Sequence, residues 1–240
     1  MVFLIFATLA SVLAGGVASV AGFGVGSILT PLFNLRYDIK LAVAAVSIPH
    51  VVCTAVRFWR MRQHLDRQVL KTFGVTSAVG GLAGAVLQRY VTSTNVTVVF
   101  AVLLTFAGTA SLTGISERLR FGRATGWVAG ALSGLLGGLV GNQGGIRSAG
   151  LLGYDLSPAA FVATATAVAL VIDGVRMPVY LVAEWDGLLA LAPLIAVTTA
   201  GGVFGTIAGE RVLNRIPPRA FRKLVGVLLL TLGFYMFSRM

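Results

Sequence analysis

Two glycine-rich stretches carry the residues best suited to holding a small anion. They read Gly22-Phe23-Gly24-Val25-Gly26-Ser27 and Gly141-Asn142-Gln143-Gly144-Gly145-Ile146-Arg147. Glycine serves where a backbone turns sharply or must come close to a ligand. Each stretch leads into a short apolar arm, 27–35 and 146–152. A helix that starts there presents unpaired N–H groups and the positive end of its dipole, which together make an anion site out of backbone. The expected ligands are the N–H groups around Gly24, Gly26, Gly144 and Gly145, the hydroxyl of Ser27, the amides of Asn142 and Gln143, and the guanidinium of Arg147. Polar and charged side chains in an apolar stretch are costly and mark function by default.

Further polar residues stand inside apolar runs. Ser47 and Thr164 occupy corresponding places after the two stretches, where each is either a ligand donor or a hydroxyl bonded back to its own helix. His50, Cys53 and Arg57 follow at helical spacing on one face. A His–Cys metal pair lacks further ligands nearby. His50 is therefore a proton carrier or a core histidine hydrogen-bonded to a neighbour. Asp173 and Arg176, three apart, form a natural ion pair on one helix face. With His50 and Arg57 they are the candidates for gating or proton coupling, against a purely structural role. No metal and no cofactor is expected. A serine hydrolase would need Ser47 and His50 to cooperate, but no Gly-x-Ser-x-Gly context surrounds them. No GxxxxGK[ST] phosphate loop occurs, so nucleotide-driven chemistry is excluded as well. The expectation is a protein that is not an enzyme.

The composition says what positions these residues. Of 240 residues, 57% are hydrophobic and 11% charged, against about 45–50% and about 25% in a soluble globular chain. The mean hydropathy is +0.90. Such a chain cannot wet its own surface, so an all-α integral membrane protein is the fold class expected. Eight apolar runs stand at roughly 2–35, 41–56, 72–88, 96–115, 125–152, 156–182, 187–209 and 224–238. The first is too long, and too poor in charge at its start, for a cleaved signal. The net charge of +11 would suggest nucleic acid in a soluble protein. Here the basic residues cluster between apolar runs, as in the loops that orient a membrane protein. The partners expected are therefore the lipid bilayer and a small anion, not nucleic acid, with a homodimer left open. The single Cys53 excludes an intrachain disulfide framework and a cysteine-based zinc site.

The chain repeats itself. Gly15, Gly22 and Gly26 have the spacing of Gly134, Gly141 and Gly145. Each set precedes a Tyr-Asp pair, Tyr37-Asp38 and Tyr154-Asp155, and then an Ala-rich run. Gly80, Gly81 and Gly84 correspond to Gly201, Gly202 and Gly205, whose expected role is helix packing. One membrane domain, 1–240, thus divides into two homologous four-segment repeats, about 1–120 and 121–240. If all eight runs cross, Lys and Arg divide almost evenly between the two faces. If runs 2–35 and 125–152 each enter and return on one side, thirteen basic residues share a face and five lie on the other, with Arg147 inside a hairpin. The shared clusters are Arg57/Arg60/Arg62/Arg67/Lys71, Arg118/Arg120/Arg123 and Arg211/Arg215/Arg219/Arg222/Lys223. The positive-inside rule selects the second arrangement. Each repeat then holds a glycine-broken, re-entrant hairpin, with arms of about 17 residues in the first half and about 14 in the second by run length. Three crossings accompany each hairpin, and an odd number inverts the halves, as in many secondary transporters. A long kinked helix in each half is the rival reading.

These residues resemble the TauE/SafE family of membrane exporters for sulfite and organosulfonates, over nearly the whole chain. The glycine blocks 15–31 and 134–150 carry the resemblance, with the Ala-Val-Ala-Ala-Val-Ser and Ala-Thr-Ala-Thr stretches that follow them. Asp173-Gly174-Val175-Arg176-Met177-Pro178-Val179-Tyr180, Gly201-Gly202-x-x-Gly205 and a basic final loop before the last apolar run add to it. Val25 departs from the consecutive glycines common in the family's first motif. The resemblance implies a secondary transporter that exports small sulfur-containing anions across the cytoplasmic membrane. The residues alone reach an anion pathway, not sulfur. An anion channel, a carrier of a non-sulfur anion and an accessory subunit are the other readings.

Overall fold

The computed structural model describes residues 2–22, 24–114, 125–141, 144–151, 154, 156–213 and 218–238. Every regular element among them is helical: α1 (Val2–Ala21), α2 (Val25–Asn34), α3 (Ile39–Met61), α4 (Arg67–Tyr90), α5 (Ser93–Thr113), α6 (Gly126–Val140), α7 (Gly144–Leu151), α8 (Pro158–Ala183), α9 (Trp185–Ala190), α10 (Ala192–Leu213) and α11 (Pro218–Phe237). α4 contains a π turn at Leu70–Gly74. Helices α1, α3, α4, α5, α8 and α10 are long and apolar enough to cross a bilayer. The chain is therefore a multi-pass, all-helical membrane protein.

The number of such helices equals the six crossings expected, but the set differs. α1 joins it, while the described apolar part of the last helix, Lys223–Phe237, is shorter. The arms of the broken segments are also unequal, at 20 and 10 residues in α1 and α2, and 15 and 8 in α6 and α7. Run length places a break at the midpoint, whereas the chain breaks where its glycines are. The run 187–209 likewise divides at Leu191 into α9 and α10. Pro193 accounts for this, because proline suits the first turn of a helix and disfavours helical backbone before it.

Side-chain caps start several helices. Asp38 accepts from the Lys40 N–H at 2.8 Å before α3, and Asp66 from the Val69 N–H at 2.9 Å before α4. Thr92 and Ser157 do the same for α5 and α8. The first Tyr-Asp pair thus supplies a cap, while Asp155 lies outside the described residues and Ser157 caps in its half.

Helix packing is reciprocal between the halves. α1 lies along α10, and α6 lies along α4. Both pairs meet on glycine. A Cβ on Gly15 would fall on the Gly202 carbonyl, and one on Gly205 would fall on that of Val12. Across the other pair, Gly134 faces the Ser77 carbonyl and Gly138 that of Gly81, while Gly80 and Gly84 face Ala131 and Leu135. Small residues let backbones approach closely where lipid offers no hydrophobic drive to associate. The packing role expected for the Gly80 and Gly201 blocks is what these contacts provide. α5 and α11 pack against each other through Gly108, Gly226 and Gly233.

Both broken segments fold back on themselves. Phe3 at the start of α1 meets Phe33 at the end of α2 and Tyr37 beyond it, at ring-centroid distances of 6.5 Å and 6.2 Å. Tyr154 beyond α7 lies against Gly126 at the start of α6. Exposed aromatic rings mark the two ends of the bundle. Trp59 and Trp127 lie at the end that carries Arg62, Arg67 and Lys71, and Tyr90 and Trp185 lie at the other. Such rings favour the two membrane–water interfaces.

Candidate functional site

The two breaks share one backbone geometry. Gly22 and Gly141 both adopt left-handed conformations, with φ of +78° and +72°. Each donates its N–H to the carbonyl four residues earlier, Ala18 and Gly137 respectively, at 3.0 Å. A side chain at either position would cost roughly 1–2 kcal/mol in backbone strain. Beyond Gly22 the chain reverses through Gly24, which precedes α2; beyond Gly141, Gly144 and Gly145 open α7. The breaks touch. A Cβ on Gly26 would come within 2.7 Å of the Gly141 carbonyl oxygen.

A helix end leaves backbone carbonyls short of partners. Polar side chains reach four of them here, of which Ala18 and Gly137 also accept a glycine N–H. Arg176 Nη1 donates to the Gly137 carbonyl at 2.6 Å, the Tyr180 hydroxyl donates to that of Gly138, and Gln88 Nε2 donates to that of Leu139 at 2.7 Å. In the other half Arg57 Nη1 donates to the Ala18 carbonyl, and Arg57 Nε donates to Thr166 Oγ1 at 3.1 Å. Arg176 is held from its own helix by Asp173, with Nε and Nη2 at 2.9 Å and 2.7 Å from Oδ1. The second oxygen of Asp173 lies 2.7 Å from His50 Nδ1 on α3. This carboxylate therefore ties α3 to α8.

Arg147 differs from the other two arginines. It is 2% exposed, and its Nη2 donates to the Gly22 carbonyl at 3.1 Å, so the second break reaches the first. Its Nε and Nη1 have no hydrogen-bond partner among the described residues. Arg57, Asp173 and Arg176 all lie within electrostatic reach of it. A buried guanidinium with idle N–H groups suits an oxyanion, since hydrogen bonds between ionised partners are the strong ones.

The residues expected from sequence fall into three groups. Gly24, Gly26, Ser27, Gly144, Gly145 and Arg147 belong to the breaks, and Arg57, Asp173, Arg176 and His50 stand around them. Ser47 and Thr164 turn elsewhere. Ser47 donates back to the Ala44 carbonyl at 2.6 Å and lies 2.9 Å from Met177 Sδ, while Thr164 accepts from the Asp66 N–H at 3.1 Å and so anchors the loop before α4. Asn142 and Gln143 lie outside the described residues. Sequence reasoning missed Gln88, Thr166 and the hydroxyl of Tyr180. Each is a polar group within an apolar run, and that is the signal by which it stood to be found.

Two features lie away from the breaks. A cavity of 240 Å³ opens among Asn34, Asp38, Ser93, Thr97 and Tyr235 and includes none of the buried arginines. Glu184, beyond the end of α8, has its carboxyl held above the ordinary value, first by partial burial and then by Asp38, with Lys40 opposing.

The family model described as sulfite exporter TauE/SafE matches residues 7–236 of the chain. No curated protein and no solved structure matches it.

Proposed function

We propose that this chain, which belongs to the TauE/SafE sulfite exporter family, is a secondary transporter that exports small sulfur-containing anions across the cytoplasmic membrane. The observation that carries the anion site is Arg147, buried at the contact of the two breaks with Nε and Nη1 unpartnered among the described residues. A substrate oxyanion accepts from a free N–H of that guanidinium. The backbone N–H groups that open α2 and α7, the Ser27 hydroxyl and the amides of Asn142 and Gln143 complete its shell.

Re-entrant hairpins in two inverted halves provide the mechanism. Support comes from the fold-back of α1–α2 and α6–α7, the reciprocal pairing of α1 with α10 and α6 with α4, and the matching glycine conformations. In this reading one half rocks against the other and opens the site to each side in turn. An inside-negative potential of about 100 mV favours exit by about 2.3 kcal/mol per negative charge, so export needs no coupled ion. The same reading makes the chain a carrier and not an enzyme.

Flux in proteoliposomes tests it. With sulfite, thiosulfate or sulfoacetate on one side, saturable efflux and counterflow are expected. A folded protein that moves no sulfur anion overturns the proposal, and flux without saturation or counterflow points to a channel.

A further inference from the structure

The two halves carry different charge around the same bond. Arg57 and Arg176 each cap the carbonyl that also accepts the left-handed glycine N–H, Ala18 in one half and Gly137 in the other. Arg176 has a carboxylate three residues before it, Asp173, which contacts it at 2.7 Å. The residue three before Arg57 is Thr54, which is buried and carries no charge. Arg57 is thus satisfied as a hydrogen-bond donor, but among the described residues no carboxylate lies within ion-pair distance of it. Among the described residues Arg147 has no carboxylate partner either. Among the described residues, the buried charged groups are these three arginines and Asp173 alone. His50, which shares Asp173, adds no negative charge.

Buried charge that nothing offsets is strongly unfavourable, and groups of like sign within reach of each other make it worse. Among the described residues no carboxylate balances Arg57 and Arg147, and an anionic ligand would do so. Arg176 and Asp173 cancel, which leaves two positive charges. Resting on the exporter reading above, we infer that the site is matched to a dianion rather than to a monoanion. The ligand accepts from a free N–H of Arg147 and lies in the field of Arg57. An oxyanion of sulfur with two full charges fits, while a sulfonate with a neutral organic group leaves one charge unbalanced.

Thiosulfate and methanesulfonate make a matched pair of probes. Both present three oxygens on sulfur, and they differ in a charged sulfur against a neutral methyl group. In proteoliposomes at neutral pH, thiosulfate should half-saturate flux at a concentration at least tenfold below that of methanesulfonate. Thr54→Asp places a carboxylate before Arg57 just as Asp173 precedes Arg176, and it should reduce the ratio to near one while methanesulfonate still moves. Arg147→Gln should also lower the ratio, and Arg147→Lys, which keeps the charge, should preserve most of it. Methanesulfonate flux equal to or better than thiosulfate flux in the unaltered protein overturns the dianion inference and leaves the exporter reading standing. A Thr54→Asp protein that transports with an unchanged ratio also overturns it. Absence of flux for every sulfur anion overturns the exporter reading itself.

Discussion

Arg57 and Arg176 make the same bond in the two halves of the protein, each donating to the carbonyl that a left-handed glycine also uses. Among the described residues, Arg176 is paired with a carboxylate and Arg57 is not. The two bonds should therefore respond differently to mutation. Arg176→Gln leaves Asp173 buried with His50 as its remaining partner, and breaking a buried ion pair from one side costs about 3–5 kcal/mol. Arg57→Gln removes a charge that has no carboxylate partner among the described residues, and the Ala18 carbonyl keeps the Gly22 N–H, so the loss should be nearer the ~1.5–3 kcal/mol of a hydrogen bond to a charged group. Thermal unfolding in detergent should rank Arg176→Gln as clearly the less stable. The reverse order would show that the Asp173 pairing is not what holds Arg176.

Glycine substitutions should separate packing from mere presence in a helix. A Cβ on Gly134 lands on the Ser77 carbonyl, and backbone cannot move aside as a side chain can. Gly134→Ala must push α4 and α6 apart, at about 1–3 kcal/mol by analogy with overpacked cores. A Cβ on Gly174 meets nothing within 4 Å. Gly174→Ala should instead stabilise α8 by about 0.5–1 kcal/mol, since glycine weakens a helix interior. Unfolding midpoints of the two variants should move in opposite directions, and equal shifts would refute the packing account.

Much of this architecture is legible in the sequence, for reasons that particular residues make clear. Gly22 and Gly141 stood out by spacing, and they share a backbone conformation because a sharp reversal in a helix needs a residue that tolerates positive φ. Arg147 stood out because an arginine beside a glycine break has few structural uses. What spacing cannot show is which partner a polar group finds. Ser47 and Thr164 were matched by alignment, yet one bonds back to Ala44 and the other holds Asp66, because helix rotation and neighbouring loops decide where a hydroxyl points. Arm lengths failed for a related reason. A run of apolar residues measures how far a segment stays out of water, whereas the position of the break depends on single glycines. Gln88 was passed over because it sits near the end of an apolar run, where a polar residue reads as the start of a loop. In the structure it caps α6 at Leu139.

Substrate should stabilise the protein through Arg147. A ligand bound only to the folded state at one hundred times its dissociation constant adds about 2.7 kcal/mol. For a chain of this size that is worth a rise of several degrees in the unfolding midpoint, at about 2–4 °C per kcal/mol. Sulfite or thiosulfate should raise the midpoint of the unaltered protein and leave that of Arg147→Gln nearly unmoved, with chloride at equal ionic strength as the control. The variant itself loses one described hydrogen bond, to Gly22, and sheds an unbalanced buried charge, so its midpoint without ligand should stay close to that of the parent. A ligand shift of equal size in both proteins would take Arg147 out of the site.

Cysteine labelling tests the topology against low background, because the single native thiol, Cys53, is buried. New cysteines at Arg62 and Lys71, at the end of the bundle that also carries Arg67, should react with an impermeant reagent from the cytoplasmic side only. Cysteines at Tyr90 and Trp185, exposed at the opposite end, should react only from outside. The decisive position is Arg219. If both broken segments return to the side they enter, the chain before the last helix emerges on the same face as Arg62, and the three basic clusters lie together as the positive-inside rule requires. If both broken segments instead cross as long kinked helices, Arg219 emerges on the face opposite Arg62. Labelling of Arg219→Cys from the outer face, with Arg62→Cys labelled from the inner, would overturn the inverted arrangement and with it the facing of the two breaks across a shared axis.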